Sequence, residues 1–322
     1  MITIIILSAG TRNKVVQYFS KALEGHGRVI ATDCSKLAPA IYEAGNYHIV
    51  PRMDEPGYLE HILELCERER ATGILSLIDP ELTLLAENKD KFLKIGCTPI
   101  VSDPEQVAMC FDKYLMFTFL KEHGFRTAKS YLDRKVFYND IETEKIKFPV
   151  FVKPVRGSAS ININKVNSIR EVDLLMDLYE DLMIQEYMDG VEYGADVYID
   201  LISGEIISIF IKEKIKMRAG ETDKAVSVKD ETLFALIEEF VRKAGFRGII
   251  DIDIFKVNDE YYISEVNPRF GGGYPHAYAC GVNIPEFIIN NLQGNKNGPV
   301  IGHYQENIYM MKYNEIMIKE GL

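Results

Sequence analysis

Two neighbouring segments in which polar and apolar residues alternate constrain the fold of this chain more than any other feature. Residues 248–255 read Gly-Ile-Ile-Asp-Ile-Asp-Ile-Phe, and residues 261–267 read Tyr-Tyr-Ile-Ser-Glu-Val-Asn. Side chains along a β-strand point alternately to opposite faces, so a period of two predicts strands with one polar face. Only the polar residues 258–260 separate the two segments, which predicts an antiparallel hairpin.

The length of the turn decides which side chains of this hairpin face each other. If residues 258–260 form a three-residue turn, Asp253 pairs with Glu265 and Asp251 pairs with Asn267. All four polar groups then share one face. A two-residue turn instead places Asp253 opposite Ser264 and separates the cluster, because a shift of one residue turns side chains to the other face.

The end of this hairpin carries a pattern typical of a magnesium site. Glu265 and Asn267 lie two residues apart on one strand face, and carboxylate and carboxamide oxygens are hard ligands that suit Mg²⁺. Arg269 follows two residues later, and the glycine run 271–273 allows backbone to approach a ligand closely. The alternative is an acidic hairpin with one face in water, which is common in antiparallel sheets.

The composition excludes several classes of protein. The chain has 322 residues and 47% hydrophobic content, so we expect two or three domains with cores of their own. A formal net charge of -11, without a basic stripe carrying interleaved aromatics, argues against nucleic acid as a partner. Residues 1–7 are apolar but too short for a signal peptide or a membrane span, so they predict a first buried strand and no membrane association.

The five cysteines give no sign of a disulfide framework. Their number is odd and none forms a Cys-x-x-Cys pair, which favours a reducing, cytoplasmic environment and argues against a zinc site. Cys66 and Cys97 lie in apolar patterns, which predicts buried core positions. The reactivity of Cys280, which lies close to the glycine run, stays open.

The first hundred residues alternate between predicted strands and helices. Apolar strands at residues 2–7, 28–33 and 73–78 are separated by helical patterns at residues 15–23 and 58–70. This order predicts a parallel, Rossmann-like α/β sheet. The first turn reads Ser-Ala-Gly-Thr-Arg rather than G-x-G-x-x-G, which argues against a dinucleotide. Sheets of this kind form a ligand crevice at the ends of their strands. Four residues at these ends are therefore predicted to contribute to the substrate site: Gly10, Asp33, Asp79 and Glu81.

A lysine followed by a loop of small residues predicts a phosphate site in the middle of the chain. Lys153 follows the apolar run 148–152, and the loop Gly157, Ser158, Ala159, Ser160 begins four positions after it. A buried lysine is costly without an anion, and backbone N–H groups with hydroxyls suit a triphosphate. The alternative is a strand-end lysine that reaches solvent beside an ordinary turn.

Together these segments resemble the ATP-grasp superfamily. The sequence Glu-x-Asn-Pro-Arg at 265–269 is most similar to the carbamoyl phosphate synthase and biotin carboxylase branch. The resemblance extends over nearly the whole chain. It rests on the order and spacing of the motifs over residues 112–269. The resemblance implies ATP as cofactor, with Mg²⁺, or Mn²⁺ as an alternative, bound by Asp253, Glu265 and Asn267. It also implies that Arg269 stabilises an acyl phosphate.

The same resemblance assigns nucleotide contacts to further residues. It implies that Lys153 binds the α-phosphate, that Lys113 reaches the phosphates, and that the loop containing Gly157, Ser158 and Ser160 covers them. Adenine would contact Glu186, Tyr187 and Met188, and Glu192 would take the ribose hydroxyls; two surface acids around a turn are the alternative. Lys214 and Arg218 would face the nucleotide phosphate and the acyl group; here the alternative is a charged edge strand, since lysines protect edges.

The predicted fold is therefore mixed, α/β and α+β: an N-terminal Rossmann-like parallel sheet domain followed by a two-lobed ATP-grasp domain. We expect a Rossmann-like domain at residues 1–111, a linker helix and lid at 112–188, and a C-terminal subdomain with the metal-binding hairpin at 189–322. Residues 125–188 are expected to move as the lid. His276, after the glycine run, is either a substrate contact or a surface or core residue.

The predicted function is that of an ADP-forming ligase. The resemblance implies an ATP-dependent carboxylate–amine (or thiol) ligase that acts on a small-molecule carboxylate and a nucleophile through an acyl phosphate. One alternative is a split module like the carbamoyl phosphate synthase large subunit, phosphorylating bicarbonate or carbamate. Another is a nucleotide-binding regulatory protein without turnover. A homodimer is an open alternative for the oligomeric state.

Overall fold

The computed structural model describes residues 1–157, 163–218 and 220–321, and it contains three β-sheets in sequence order. The first sheet is parallel, with strand order β3-β2-β1-β4-β5. Its strands are β1 (Ile2–Leu7), β2 (Gly27–Asp33), β3 (Asn46–Ile49), β4 (Gly73–Ser76) and β5 (Thr98–Pro99). Helices α1 (Asn13–Ala22), α2 (Tyr58–Glu69), α3 (Asp79–Glu87), α4 (Lys89–Lys94) and α5 (Pro104–Phe111) connect the strands or follow them, with a 3₁₀ helix at Pro39–Glu43.

The second sheet is small and antiparallel, with order β6-β9-β7-β8. It comprises β6 (Ser130–Tyr131), β7 (Val150–Pro154), β8 (Asn164–Val166) and β9 (Leu182–Glu186), with helices α6 (Lys113–Glu122), α7 (Arg134–Glu142) and α8 (Ile169–Leu178). Helix α6 begins where Asp112 accepts hydrogen bonds from the N–H groups of Tyr114 and Leu115, the usual way to satisfy a helix N-terminus. It is followed by Gly124 at a φ of 77°, which favours glycine.

The third sheet has six antiparallel strands in the order β14-β13-β10-β11-β12-β15. Its elements are β10 (Val191–Ile199), β11 (Ile206–Arg218), β12 (Glu221–Val228), β13 (Gly248–Val257), β14 (Glu260–Asn267) and β15 (Tyr309–Met311), with α9 (Glu231–Ala244), α10 (Tyr274–Ala279) and α11 (Ile284–Leu292). A parallel sheet followed by two antiparallel sheets confirms the predicted fold class. Among the residues that the structure describes, no helix combines the length and apolar character needed to cross a membrane.

The buried apolar residues connect the first and third sheets and leave the second sheet with its own core. One continuous cluster joins Ile4 and Ile6 of β1 to Ile209 of β11 and Ile252 of β13. A separate small cluster around Phe137 and Val152 fills the second sheet. The other face of the first sheet packs against its own helices, and Cys66 and Cys97 are buried there, as predicted. The first and third sheets therefore form one packed body, against which the second sheet can move at lower cost.

Candidate active site

The hairpin brings its four polar residues together as the sequence predicts. Strands β13 and β14 pair with Asp253 opposite Glu265 and Asp251 opposite Asn267. Residues directly opposite each other in an antiparallel pair lie on the same face. The alternative of an ordinary solvated face is wrong, because all four side chains are at least half-buried and lie beside residues of the first sheet and of β11.

The backbone reaches this register by a route that the sequence does not predict. The three-residue turn is wrong: Val257 pairs with Glu260, so only residues 258 and 259 lie between the strands. Both have positive φ, 49° and 64°, the conformation of a tight two-residue hairpin turn. A β-bulge at Ser264 then adds one residue to β14. The bulge returns the later residues to the register that a longer turn would have given.

Lys214 places a positive charge among the hairpin carboxylates. Its Nζ lies 2.5 Å from Asp253 Oδ1 and 2.8 Å from Glu192 Oε1, and its side chain is 4% exposed. Burial alone would lower the pKa of Lys214, but the carboxylates of Asp253 and Glu192 outweigh it and raise the pKa. The pKa of Asp253 is raised by burial, despite Lys214. The structure therefore brings Lys214, Glu192 and Asp253 together as one ionic cluster.

Glu265 and Asn267 differ in how their oxygens are used. Among the described residues, the Glu265 carboxylate makes no hydrogen bond, whereas Asn267 Oδ1 accepts one from Arg269 Nη2 at 3.1 Å. In the described part of the chain, no three histidine, cysteine, aspartate or glutamate side chains are arranged to hold a metal ion. A metal site here therefore has to use an amide oxygen beside carboxylates, which is acceptable chemistry for Mg²⁺.

Arg269 is held by a residue from the first sheet. Its Nε lies 2.8 Å from Asp79 Oδ1, and its Nη2 lies 2.9 Å from Asp79 Oδ2. Both side chains are about nine-tenths buried. Burial would lower the pKa of Arg269, but Asp79 raises it. Asp79 begins α3, three residues after the end of β4, so one of the predicted strand-end residues reaches Arg269.

Two lysines approach the hairpin from the side of the second sheet. Lys153, near the end of β7, is 7% exposed, and its Nζ has no hydrogen-bond partner among the described residues. Burial lowers its pKa to about 8, with a raising effect of Glu265 and a lowering effect of Lys113. Lys113 Nζ donates to the carbonyl of Gly157 at 2.5 Å. Ser158 and Ser160 lie outside the described residues.

A small cavity adjoins these groups. It is lined by residues of the hairpin, of the first sheet and of the loop after β7: Asp79, Leu82, Val107, Cys110, Phe111, Gly157, Glu265, Asn267 and Pro268. Cys110 was given no role by the sequence analysis. Burial, with the nearby charges of Asp79 and Glu265, raises the pKa of the Cys110 thiol, which keeps it protonated and unreactive.

The three residues expected at the adenine lie at the end of β9 and just after it. The Glu186 carboxylate accepts a hydrogen bond from the Lys129 N–H at 3.1 Å, and the Glu186 N–H donates to the Lys129 carbonyl. The Lys165 ammonium lies 3.6 Å from the centre of the Tyr187 ring, a cation–π contact. Met188 lies in the short connection to β10. Glu192 is separated from this group along β10 and lies with Lys214 instead.

Arg218 is exposed at the far end of β11, opposite Glu221 of β12. The charged edge-strand alternative is wrong for residues 212 and 213, which pair with both β10 and β12. It is not contradicted farther along, because β10 does not pair with residues 214–218 and residues 215–218 are exposed. Lys214 and Arg218 are therefore not brought together: the first is buried in the ionic cluster, and the second lies at the tip of the β11–β12 hairpin, next to Ala219, which is outside the described residues.

The glycine run lies against charged side chains of the protein itself. A Cβ atom on Gly271 would lie 2.4 Å from Asp251 Cγ, and one on Gly273 would lie 2.8 Å from Lys212 Cε. A Cβ on Gly272 would lie 2.7 Å from Arg12 Nη1. At these distances a side chain on any of the three would force its charged neighbour to shift, so contacts within the protein favour glycine here. Approach of its backbone to a ligand stays a prediction.

The remaining strand-end residues of the first sheet have local partners. Asp33 accepts from the N–H groups of Gly10 and Ser35, which shapes the turn after β1. Glu81 accepts hydrogen bonds from three hydroxyls: those of Ser8, Tyr58 and Ser76. Of the four strand-end residues, only Asp79 reaches Arg269.

His276 and Cys280 are core residues. His276 is 2% exposed, and its Nε2 donates to the Ile308 carbonyl at 2.8 Å. Burial lowers its pKa, so it is neutral near pH 7. Cys280 is buried as well, and burial raises the pKa of its thiol. These two features argue against a catalytic role for either residue.

Two charged groups near the glycine run were not predicted from the sequence. One is the buried pair of Lys212 and Asp196. The other joins three distant segments: Glu221 binds Arg12 and Lys312, each at 2.7 Å. The alternation Glu-x-Gly-x-Asp at 192–196 was a usable signal, because it places polar groups on one face of β10. No local pattern links Arg12 to Glu221.

The family models divide the chain in two. Residues 4–100 match the model described as the PylC-like N-terminal domain, and residues 110–273 match the ATP-grasp domain. The chain is 27% identical over 225 residues to the vancomycin/teicoplanin A-type resistance protein VanA of Enterococcus faecium; this covers 60% of the chain and 62% of VanA. It is 25% identical over 237 residues to the C-terminal section of the carbamoyl phosphate synthase large chain of Aquifex aeolicus, covering 67% of this chain and 42% of that protein.

A solved structure shows the same fold over nearly the whole chain. The biotin carboxylase domain of the Hydrogenobacter thermophilus 2-oxoglutarate carboxylase, a dimer in complex with MgADP, ADP and bicarbonate, superposes with a TM-score of 0.75. The match covers 95% of this chain and 73% of that one, at 17% identity. At this identity the likeness establishes the fold alone.

Proposed function

The chain belongs to the ATP-grasp family, and from this premise we propose that it is an ATP-dependent ligase that joins a small carboxylate to an amine or thiol. The carboxylate takes the γ-phosphoryl group of ATP, ADP leaves, and the nucleophile then displaces phosphate from the acyl phosphate. The D-alanine–D-alanine ligase of Clostridium botulinum is 30% identical over 61% of this chain. Its name describes a reaction of this class.

One observation carries the proposal: a buried cation lies near a partly buried carboxylate. Lys153 and Glu265 are electrostatic neighbours, and neither side chain makes a hydrogen bond with any described residue. Such groups are costly to bury unless a ligand satisfies them. A phosphate chain with its metal ion supplies both a negative group for Lys153 and a positive one for Glu265.

The residues present fit a magnesium ion. Asp253, Glu265 and Asn267 supply hard oxygens from one face of the hairpin, and Mg²⁺ bound there would neutralise phosphate oxygens during transfer. The Lys214 ammonium holds the Asp253 carboxylate in place. Mn²⁺ accepts the same ligands and is the alternative metal.

The chain's own cations then divide the work of binding and stabilisation. Lys113 and Lys153 orient the phosphates, with the loop from Gly157 through Ser158 and Ser160 covering them. Glu186, Tyr187 and Met188 contact the adenine, and Glu192 the ribose. Arg269 and Arg218, with Lys214, stabilise the charge that spreads over the transferred phosphoryl and acyl groups.

We also propose how the three parts of the chain share these tasks. Residues 1–111 bind the substrate at their strand ends, residues 112–188 act as the linker and lid, and residues 189–322 carry the metal hairpin. The separate core of the second sheet supports this division.

Trapping of the acyl phosphate tests the reaction directly. The protein is incubated with ATP, Mg²⁺, hydroxylamine and a panel of small carboxylates that includes amino acids and bicarbonate. We expect one carboxylate to give a hydroxamate together with an equal amount of ADP. Release of AMP and pyrophosphate would contradict the mechanism.

The same assay separates the alternatives. ADP formation with bicarbonate, and with none of the other carboxylates, would support the module like carbamoyl phosphate synthase, to whose large chain this protein is similar. ATP binding without any turnover across the panel would support a regulatory protein instead.

A further inference from the structure

A fully buried ion pair lies beneath the glycine run and has no role in the proposed chemistry. Lys212 Nζ lies 2.5 Å from Asp196 Oδ2, and the side chains are 1% and 0% exposed. Removing two charges from water is costly, and apolar residues of similar size are often equally stable or more so. Stability alone therefore does not account for a charged pair at this position.

The pair contacts one end of the glycine run directly and approaches the other end through Asp251. Lys212 lies directly under Gly273, where an added Cβ would be 2.8 Å from Cε and 3.0 Å from Nζ. Its Nζ is 3.9 Å from Asp251 Oδ1, and the Asp251 carboxylate lies against Gly271. The run thus lies on a charged surface made by Asp251 and Lys212, with Asp196 behind it.

This surface is also connected to the proposed metal and phosphoryl site. Asp251 is directly opposite Asn267 in the hairpin, and the run begins two residues after Arg269. A displacement of Asp251 or of the run would therefore move Asn267 and Arg269 together. Sub-ångström changes of this kind are enough to weaken metal binding and transfer.

A glycine on the neighbouring strand makes room for this arrangement. A Cβ on Gly194 would lie 3.0 Å from the Cε atoms of both Lys212 and Lys214. The side chains of both lysines therefore pass over β10 at Gly194. Lys212 reaches Asp196, and Lys214 reaches Asp253. The pairs Lys212–Asp196 and Lys214–Asp253 therefore both lie against Gly194. This gives the buried pair a second connection to the metal hairpin.

We propose that Lys212 and Asp196 are positioning residues, which fix Asp251 and the glycine run so that Asn267 and Arg269 stand in their working positions. This inference rests on the proposed function, because it assigns the pair to the same site. A purely structural pair would affect folding but not the preference of the site for metal-bound nucleotide.

The decisive variant removes both charges. Lys212→Met/Asp196→Leu replaces the pair with apolar side chains and should fold, whereas Lys212→Met alone leaves Asp196 buried and unpaired and should melt at a lower temperature. Arg28→Met/Glu69→Leu is the matched control, because that half-buried pair, at 3.1 Å, lies in the first sheet away from the hairpin.

The readout is the ratio of ATP affinities with Mg²⁺ and with EDTA, measured by calorimetry. In the double variant we expect the affinity in EDTA to be unchanged and the gain from Mg²⁺ to fall on the order of tenfold, as for residues that orient metal ligands. The control should keep the wild-type ratio. An unchanged ratio in a folded double variant would overturn the proposal.

Hydrogen exchange of the ligand-free protein provides a second readout that does not depend on nucleotide binding. Amides of residues 270–274 should exchange faster in the double variant but not in the control. If the ATP affinity of the wild-type protein does not depend on Mg²⁺, the proposed function is contradicted. The exchange experiment would then be the test of the positioning role. Equal exchange in all three proteins would refute that role.

Discussion

Two buried lysines near the hairpin differ in their partners, and this difference sets their chemistry. Lys214 is held by two carboxylates, which raise its pKa, so it stays charged at all ordinary pH values. Lys153 has no such partner, and burial lowers its pKa to about 8. The first lysine is a fixed structural charge, whereas the second is a charge that a ligand can stabilise.

The low pKa of Lys153 predicts a pH-dependent affinity for ATP. Phosphate binding favours the protonated lysine, and the free protein loses that proton above about pH 8. At constant free Mg²⁺, the affinity should fall as the pH rises past 8, by up to about tenfold per pH unit. Lys153→Arg, which stays charged, should give a flat profile in calorimetry from pH 7 to 10. A flat wild-type profile would contradict the assignment.

The same shift has a defined effect on folding. Between about pH 8 and the ordinary lysine value of 10.5, the unfolded chain holds a proton on Lys153 that the folded chain has lost. The free energy of unfolding therefore gains a contribution that rises with pH in this window. Lys153→Met should remove that contribution.

Glu265 is the residue whose loss should separate activity from stability most clearly. Glu265→Ala removes a hard ligand and should lower ADP release on the order of a hundredfold or more. Because the carboxylate makes no hydrogen bond with described residues, the free energy of unfolding should change by only about 1 kcal/mol. Circular dichroism and ADP release measure the two effects.

Glu260→Ala is the control for this variant. Glu260 lies at the start of the same strand, is exposed and binds Arg126, so its loss should leave ADP release unchanged. Wild-type-like turnover in Glu265→Ala would rule out the metal assignment.

At the scale of elements, the hairpin, the long strands and the main helices could be predicted from local patterns. The bulge at Ser264 could not, because a two-residue turn with a bulge has the same length as a three-residue turn without one. The pair Lys212–Asp196 depends on the register of two strands, which no local pattern sets.

The second sheet is the element expected to move. Its core is separate from that of the other two sheets, and it carries Lys153 and the loop after Gly157. Hydrogen exchange across residues 125–188 should slow when ATP and Mg²⁺ are added, since lids close over nucleotide. Residues 2–33, within the shared body, are the internal control. Unchanged exchange in the lid at saturating ATP would count against closure.

At the scale of the whole molecule, the first sheet is coupled to the hairpin by one ion pair. Asp79 and Arg269 are 190 positions apart, yet they meet in a two-point contact at 2.8 and 2.9 Å. The packed body formed by the first and third sheets keeps this contact in place. The first domain can thereby set the orientation of Arg269.

Asp79→Asn tests this coupling. The amide keeps the size of the side chain but loses the charge, so Arg269 should be less firmly oriented and ADP release should fall roughly tenfold to a hundredfold. ATP affinity should change little. Asp54→Asn removes an exposed pair with Arg52 in the same part of the chain and should leave release unchanged. Equal rates in the two variants would show that Asp79 does not orient Arg269.

The bulge in β14 matters for anyone who transplants this hairpin or aligns it with others. Twelve positions separate Asp253 from Glu265, whether the extra residue sits in the turn or in the strand. Two sequences can therefore align without a gap although their hairpin turns differ in shape. If only the turn is exchanged between them, the resulting hairpin has one residue too many or one too few. Grafting should preserve the total count from 253 to 265, since that count, rather than the turn itself, keeps the acids facing each other.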